Sequence, residues 1–206
     1  MLKTLLSSSL LLFVFSCAST SASAPTDGQE TGMVQGRYLQ PSPQLASDLQ
    51  MNAERMPWLQ TATEQQEMIE WFSHAGEAAF TKLLELAADS RPKVANMAFA
   101  ALAASRDQRL VEDLRLIPWS DDLPKPLQYS RARAHLKLGD WTHIDRLIAG
   151  LEDDVAYNRA LCARILKATT KNNFGYDYRM GEMDRAQAVE RWKEWYEERA
   201  ADAILN

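Results

Sequence analysis

Residues 129–154 read YSRARAHLKLGDWTHIDRLIAGLEDD and contain two short amphipathic helical patterns. In the first pattern Ala132 and Leu136 are one helical turn apart, and in the second Ile144 and Ile148 have the same spacing. The letters GD interrupt the pattern between them, and an aspartate at such a break can cap the following helix. The stretch therefore predicts two short helices joined by a tight turn.

The same arrangement recurs along the chain at a nearly constant period. First helices are marked by the pairs Met68 with Phe72, Ala98 with Leu102, Ala132 with Leu136, and Cys162 with Leu166. Second helices are marked by the pairs Phe80 with Leu84, Leu110 with Leu114, and Ile144 with Ile148. Corresponding residues of the first helices lie 30, 34 and 30 positions apart, and no alternating strand pattern occurs between them. Paired amphipathic helices at this period are typical of an all-α solenoid, in which neighbouring pairs stack to share one core.

These units resemble HEAT-like repeats, including the short bacterial class related to phycobilisome-lyase repeats. The resemblance rests on YSRARAHLKLGD followed by IDRLIAGLEDD, and on RALCARILKATTKNNFGYD followed by AVERWKEWYEERA. It covers roughly residues 63–200. It implies a right-handed α-solenoid of about four helix pairs, whose second helices line a concave surface and whose Trp-rich C-terminal helix closes one end. The chain departs from the family at Pro118-Trp119 and at Pro124 to Pro126, which stretch the second junction.

A tetratricopeptide array is the alternative interpretation of the same repeats. The letters LGDW at residues 138–141 fit the 34-residue pattern of that family. That family has a small residue early in its second helix, where this chain has the bulky Ile144. The HEAT-like interpretation is therefore preferred.

The N-terminal residues have the pattern of an export signal. Residues 1–16 combine Lys3 with the apolar stretch LLLFVF, which is shorter than the roughly 20 apolar residues that span a bilayer. The letters VFSC resemble the lipobox of bacterial lipoproteins, although Phe15 departs from the smaller residue preferred there. Cys17 is therefore the predicted lipidation site and mature N-terminus, in a membrane-anchored protein of the cell envelope. Cleavage after Ala24 is the alternative, and it would give a secreted or periplasmic soluble protein.

Two further regions follow the predicted signal peptide. Residues 17–62 are rich in Ser, Thr, Gln and Pro, and we expect them to form a lipidated N-terminus and flexible tether, with a short helix over 44–53. Residues 63–206 are the predicted repeat domain, and a capping box with the letters TEQQ at 63–66 marks its first helix.

Composition and motifs argue against nucleic-acid binding and against an enzyme. The formal net charge is -5 and the pI is about 5.3, whereas a nucleic-acid binder carries a basic footprint. The sequence contains no HExxH, GxSxG, P-loop or GxGxxG motif, so no catalytic residue, cofactor or metal site is predicted. The acidic clusters at 121–122 and 152–154 fall at helix junctions, where we expect them to cap helices rather than to bind calcium.

The residues best suited to chemistry occupy positions that favour structural roles. We expect His74, His135 and His143 to lie at the surface or in turns, because none has a metal-binding spacing. Cys162 occupies a position that alanine holds in the preceding repeats, so we expect it to be a packed core thiol. No disulfide is predicted between the two cysteines of the chain.

A charged row along the second helices is the first candidate for partner recognition. Lys82, Glu112 and Arg146 hold equivalent places in these helices, each two positions after an apolar anchor. Two positions correspond to about 200° of rotation, so the three side chains are expected to point away from the core along the concave groove. The row is either a binding track that sets specificity or a solvated charge ladder.

The loop NNFGYDY at residues 172–178 is the second candidate. In one interpretation Phe174, Tyr176 and Asp177 form an aromatic recognition loop. In the other, the two aromatic rings fill the gap before the Trp-rich helix, and Gly175 adopts a positive φ.

The predicted function is that of a non-enzymatic scaffold, anchored to a membrane by lipid, that binds a protein or peptide in a solenoid groove. We expect a monomer with no nucleic-acid partner. The alternatives are a chromophore-lyase-like or other enzyme on a HEAT scaffold, a tetratricopeptide-type adaptor, and a purely structural envelope protein. For the enzyme, the candidate reactive residues are Asp177, His143 and Cys162.

Overall fold

The computed structural model describes residues 36–120 and 122–205, and throughout these ranges the regular structure is helical, with no strand. The α-helices are α1 (Pro43–Arg55), α2 (Ala62–Ala75), α3 (Phe80–Ala87), α4 (Pro92–Ser105), α5 (Leu110–Leu116), α6 (Lys125–Lys137), α7 (Ile144–Ala149), α8 (Ala156–Thr170) and α9 (Glu182–Leu205). Short 3₁₀ turns occur at Met56–Trp58, Gly76–Ala79 and Gly150–Glu152. The predicted all-α class is therefore confirmed. The predicted signal peptide and the lipidation site Cys17 lie outside the described residues.

The folded region begins before residue 63, and this corrects the predicted N-terminal boundary. Tyr38, Leu49 and Met56 are buried in the same hydrophobic core as α2, α3 and α4. From Tyr38 onward, the segment 17–62 is thus part of the fold and not a flexible tether. The pattern was too sparse to indicate this packing, because α1 buries little more than Leu49 and one alanine among polar residues.

The N-cap of α2 lies two residues before the predicted one. Thr61 is the N-cap, and its hydroxyl accepts a hydrogen bond from the backbone N–H of Glu64 at 3.1 Å. In return, the carboxylate of Glu64 accepts a hydrogen bond from the backbone N–H of Thr61 at 2.8 Å. The predicted box gave the cap to Thr63 and its partner position to Gln66. An ionised carboxylate is a stronger acceptor than an amide, and this favours the observed pairing.

The helices pack in a regular order. Helix α2 packs on α4, α4 packs on α6, and α6 packs on α8. Helix α3 packs on α4 and α5, whereas α7 packs between α6 and α8. Helix α6 belongs to both halves of the core. It contributes Leu127 and Ala134 to the N-terminal half, with Leu138 directly after its end, and Tyr129, Ala132 and Leu136 to the C-terminal half.

The Trp-rich helix α9 covers the C-terminal half of this core. It begins two residues before the expected Asp184 and packs against α7 and the turn that follows it. Val189 and Trp192 are almost fully buried, and the Trp192 ring lies edge-on to Phe174 with the ring centroids 4.7 Å apart. None of the helices described is both long enough and apolar enough to cross a membrane.

A close approach fixes the position of α8 relative to the preceding turn. Cys162 on α8 is fully buried, as its small-residue position predicts, and burial raises the pKa of its thiol. A Cβ atom placed on Gly150 would lie 2.4 Å from the Cys162 Sγ and 2.8 Å from the Cε1 of Tyr129. Only glycine therefore fits at this point of contact without a shift of its neighbours.

Candidate functional site

A groove runs along the surface formed by α2, α4, α6 and α8, and its volume is about 620 Å³. Each of the last three helices contributes side chains spaced three or four positions apart, so one face of each helix points into the groove. These faces include Lys93, Asn96 and Ala100 on α4, Ser130 and Arg133 on α6, and Tyr157, Leu161 and Arg164 on α8. The groove is thus a continuous surface across successive helices.

The charged side chains that line the groove are all cationic. Lys93, Arg133 and Arg164 line it, and no Asp or Glu is among its described lining residues. The Nζ atom of Lys93 donates hydrogen bonds to two backbone carbonyls before α2, one of them that of Leu59 at 2.9 Å. Within the described part of the chain, neither Arg133 nor Arg164 forms an ion pair with a carboxylate. Desolvation by the surrounding protein, and then the charge of Arg164, lower the pKa of Arg133.

A second cavity, of about 730 Å³, adjoins the groove where α8 faces the loop before α9. Arg164 lines both cavities. The second cavity also contains the cations Lys167, Lys171 and Arg179, with Asp177 as its single lining carboxylate. The positive surface therefore continues from the groove into this cavity.

The aromatic residues of the candidate recognition loop have structural contacts. Phe174 packs edge-on against Trp192, and Tyr176 is buried with its hydroxyl donating to the carbonyl of Leu151 at 2.5 Å. Gly175 has a φ of 75°, which glycine adopts without strain. Asp177 is exposed and lines the second cavity. Two of the three predicted loop residues therefore fill the gap before α9.

The predicted charged row does not lie in the groove. Lys82, Glu112 and Arg146 are on α3, α5 and α7, and none of the three lines the groove, because its walls are α2, α4, α6 and α8. Each side chain also has a partner within the fold. Lys82 pairs with Glu85 on its own helix at 2.5 Å, and Glu112 pairs with Arg37 at 2.8 Å.

Arg146, the third member of the row, is held at the junction before α6. Its guanidinium lies 4.5 Å from the ring centroid of Trp119, and its Nη1 donates to the side-chain oxygen of Gln128 at 3.2 Å. The guanidinium of Arg131 also contacts Trp119, at 4.4 Å from the centroid. Trp119 thus joins α6 and α7 through two cations.

A buried polar cluster surrounds His135, and this corrects the expectation that all three histidines are surface or turn residues. His135 is fully buried on α6, whereas His74 is exposed and His143 is half-buried. The Nδ1 atom of His135 lies 2.9 Å from Oδ2 of Asp140. Arg115 donates to both oxygens of the same carboxylate, at 3.0 and 2.9 Å.

The hydrogen bonds of this cluster join neighbouring helices. Asp140 also accepts hydrogen bonds from the backbone and hydroxyl of Thr142, so one carboxylate connects α5, α6 and the turn before α7. Burial lowers the pKa of His135 to about 4, and the hydrogen bonds that Asp140 accepts lower its own pKa, against the opposing effect of burial. An Asp–His pair can orient a general base, but the His135 ring has no solvent-accessible face on which a substrate could lie.

The acidic clusters at the helix junctions differ in burial. Asp153 is buried, and its carboxylate accepts hydrogen bonds from Tyr129 at 2.7 Å and from the backbone N–H of Val155 at 2.8 Å. It therefore organises the start of α8, as expected of a junction carboxylate. Asp122 is exposed, and Asp121 lies outside the described residues. In the ranges 36–120 and 122–205, no group of three or more His, Cys, Asp or Glu is arranged to hold a metal ion.

The sequence prediction missed the cationic groove because it expected the binding groove along the other set of helices, α3, α5 and α7. The signal was present in the spacing of the basic residues. Arg133 and Lys137 lie one turn apart on α6, and Arg164 and Lys167 lie on α8 with Lys171 directly after its end, away from the apolar positions of each helix.

Comparisons of this chain with protein-family models, with curated proteins and with solved structures gave no match.

Proposed function

We propose that the folded region is an α-solenoid of HEAT-like helix pairs. Its support is the packing order, in which α2, α4, α6 and α8 stack in succession while α3 and α7 pack against that row. The groove lies on the helices that the sequence pattern takes as the first of each pair, whereas the HEAT-like resemblance implies that the second helices line the concave surface.

We propose that this solenoid is a non-enzymatic scaffold, which binds an extended segment of a partner protein in the groove. The observation that carries the proposal is the continuous groove across four successive helices. Neighbouring helices lie about 9 Å apart, so three spacings give a length of about 27 Å. An extended chain rises about 3.3 Å per residue, so such a groove accommodates about eight residues.

The attachment of the N-terminal segment supports an anchored scaffold. Arg37 and Tyr38 bind to α5, a helix that does not line the groove. A tether that begins at a lipidated Cys17 would therefore join the fold on helices other than those that contact the partner. In this proposal the groove stays open while the protein is attached to a membrane of the cell envelope.

Burial of the most reactive side chains favours the scaffold over a lyase-like enzyme. The thiol of Cys162 is fully buried and its pKa is raised, which disfavours the nucleophilic thiolate. His135 is equally inaccessible. His143 is half-buried between the rings of Trp119 and His135, with centroid distances of 4.5 and 4.7 Å.

Site-specific photocrosslinking in the native host tests this function. A photoreactive amino acid at Asn96 or Ser130 lies in the groove, and one at Glu54 or Glu190 provides an exposed control elsewhere. We expect the two groove positions to crosslink the same partner protein, and the two controls to leave it uncrosslinked. Crosslinking of that partner from the control positions alone would contradict the proposed binding surface.

A further inference from the structure

The positive charge of this acidic chain is concentrated on one surface. The chain has 28 acidic and 23 basic residues, so an average surface would carry an excess of carboxylates. The groove and the adjoining cavity have the opposite balance, with one carboxylate, that of Asp177, among their described lining residues. We call their six cations the cationic track: Lys93, Arg133, Arg164, Lys167, Lys171 and Arg179.

The members of the track reinforce one another's positive potential. Arg164 lines both cavities and connects the two parts of the track. The pKa of Lys137, beside the groove, is lowered first by desolvation and then by the charges of Arg133, Arg106 and Lys171. Like charges held close together repel one another in the folded state, whereas an anion bound between them would relieve the repulsion.

We propose that the cationic track selects an extended acidic segment of a partner protein, whose carboxylates bind the guanidinium and ammonium groups along α4, α6 and α8. This inference rests on the proposed function of the groove and specifies the chemistry of its occupant. Arginine presents paired N–H donors that match a carboxylate, and Arg133 and Arg164 have no carboxylate partner within the described fold. Such charges set the specificity and the rate of association.

The shape and charge of the molecule favour a peptide over other anions. A nucleic acid would extend beyond the track onto the rest of a chain whose net charge is -5, where its phosphates would be repelled. A bilayer surface cannot enter a groove formed between helices. A short acidic segment avoids both problems, because its charge does not extend beyond the track.

Fluorescence anisotropy with the purified full-length protein tests this selectivity. The probe is a fluorescein-labelled extended peptide in which Glu alternates with Gly and Ser, and the matched probe has Gln in place of Glu. We expect the Glu peptide to bind at least about tenfold more tightly than the Gln peptide, with an affinity that falls as salt is added. Equal affinity for the two peptides would overturn the acidic preference and leave the groove as a peptide site. Failure of both peptides to bind would contradict the preference and the peptide-binding function of the groove together.

A pair of matched double variants locates the binding surface. Arg133→Glu with Arg164→Glu reverses two charges of the track, and Arg55→Glu with Lys193→Glu makes the same change in net charge at exposed sites elsewhere. We expect the first variant to weaken binding of the Glu peptide by about tenfold or more, and the second by about twofold or less. Equal losses in both variants would overturn the assignment to the track.

Two further arms exclude misfolding and other anions. Arg133→Gln with Arg164→Gln removes the charges without adding carboxylates, and it should weaken binding while the thermal unfolding midpoint stays near that of the wild type. In a separate titration, the wild-type protein is mixed with single-stranded DNA that has the same charge as the Glu peptide, and with vesicles of phosphatidylglycerol and phosphatidylcholine. Weaker binding to both supports the acidic peptide, and tighter binding to either would overturn it.

Discussion

The hydroxyl of Tyr38 donates a hydrogen bond to the buried carboxylate of Asp113, and this bond fastens the segment before α1 to α5. Arg37 adds ion pairs to the same helix, at 3.3 Å from Asp113 and 2.8 Å from Glu112. The ring of Tyr38 packs edge-on against Phe80 with the centroids 5.3 Å apart. Residues within the predicted tether are therefore a structural part of the domain.

The substitution Tyr38→Phe should destabilise the protein by about 1–2 kcal/mol, because it leaves a buried carboxylate without one of its donors. The ring packing is retained, so the loss reports on the hydrogen bond. Urea denaturation measures the change, and Leu39→Ala serves as the control, because Leu39 is 63% exposed. An unchanged midpoint for Tyr38→Phe would show that this hydrogen bond does not stabilise the folded state.

The contact between Gly150 and Cys162 predicts a coupled effect of two substitutions. Gly150→Ala should destabilise the protein by about 1–3 kcal/mol through overpacking, because its Cβ would lie 2.4 Å from the sulfur. In the background of Cys162→Ala, where the sulfur is absent, the same substitution should cost less. A double-mutant cycle by urea denaturation measures this coupling. Additive losses would contradict the close packing of α8 on this turn.

The helices could be predicted from the regular spacing of apolar residues. The long-range packing of segments could not be predicted in this way. Pairs such as Ala132 with Leu136 and Ile144 with Ile148 lie on α6 and α7, where the repeat pattern put them. Tyr38 gave no such signal, because an isolated tyrosine in a polar segment has no periodicity, and its hydrogen-bond partners lie more than 70 positions away.

The groove was the least predictable feature for a related reason. Periodicity identifies the apolar face of each helix, but it does not say which polar faces form a groove when helices pack together. Lys82 and Arg133 are both on polar faces in the sequence, and only the stacking of α4, α6 and α8 distinguishes them. His135 was misjudged similarly, because its burial depends on Trp119 and Asp140 from neighbouring segments.

The stability of the protein should fall as the pH drops from about 6.5 to about 4, because of His135. Burial lowers its folded pKa to about 4, while the unfolded value is about 6.5, so the unfolded chain takes up a proton that the folded chain excludes. The loss approaches about 3 kcal/mol at the low end of this window and is absent above it. His143, whose pKa is also lowered by burial, acts in the same direction.

The neighbouring charges define the control for this measurement. Arg115 and Arg131 stay protonated throughout the window, and the lowered pKa of Asp140 stabilises the fold above the unfolded value of about 3.9, so that contribution is lost only at lower pH. His135→Gln should therefore flatten the dependence of the urea midpoint on pH between about 6.5 and 4, whereas His74→Gln should preserve it. A dependence that persists unchanged in His135→Gln would contradict the assignment.

The predicted lipid anchor is tested by fractionation of cells. Cys17→Ser should move the protein from the membrane fraction to the soluble fraction, because lipid attachment requires the thiol of that residue. Cys162→Ser is the matched control, because it also removes a thiol but leaves the anchor in place. If wild type and Cys17→Ser partition alike, the lipoprotein hypothesis is wrong.

Affinity capture from the native membrane, with the captured proteins identified by mass spectrometry, tests most directly whether the groove binds the partner. Two charge-reversal variants are compared with the wild type: Arg133→Glu with Arg164→Glu in the groove, and Lys82→Glu with Glu112→Lys on the helices outside it. We expect the groove variant to lose the partner captured by the wild type, while the second variant retains it and both remain folded by circular dichroism. Retention of that partner by the folded groove variant, with its loss from the other, would contradict the account.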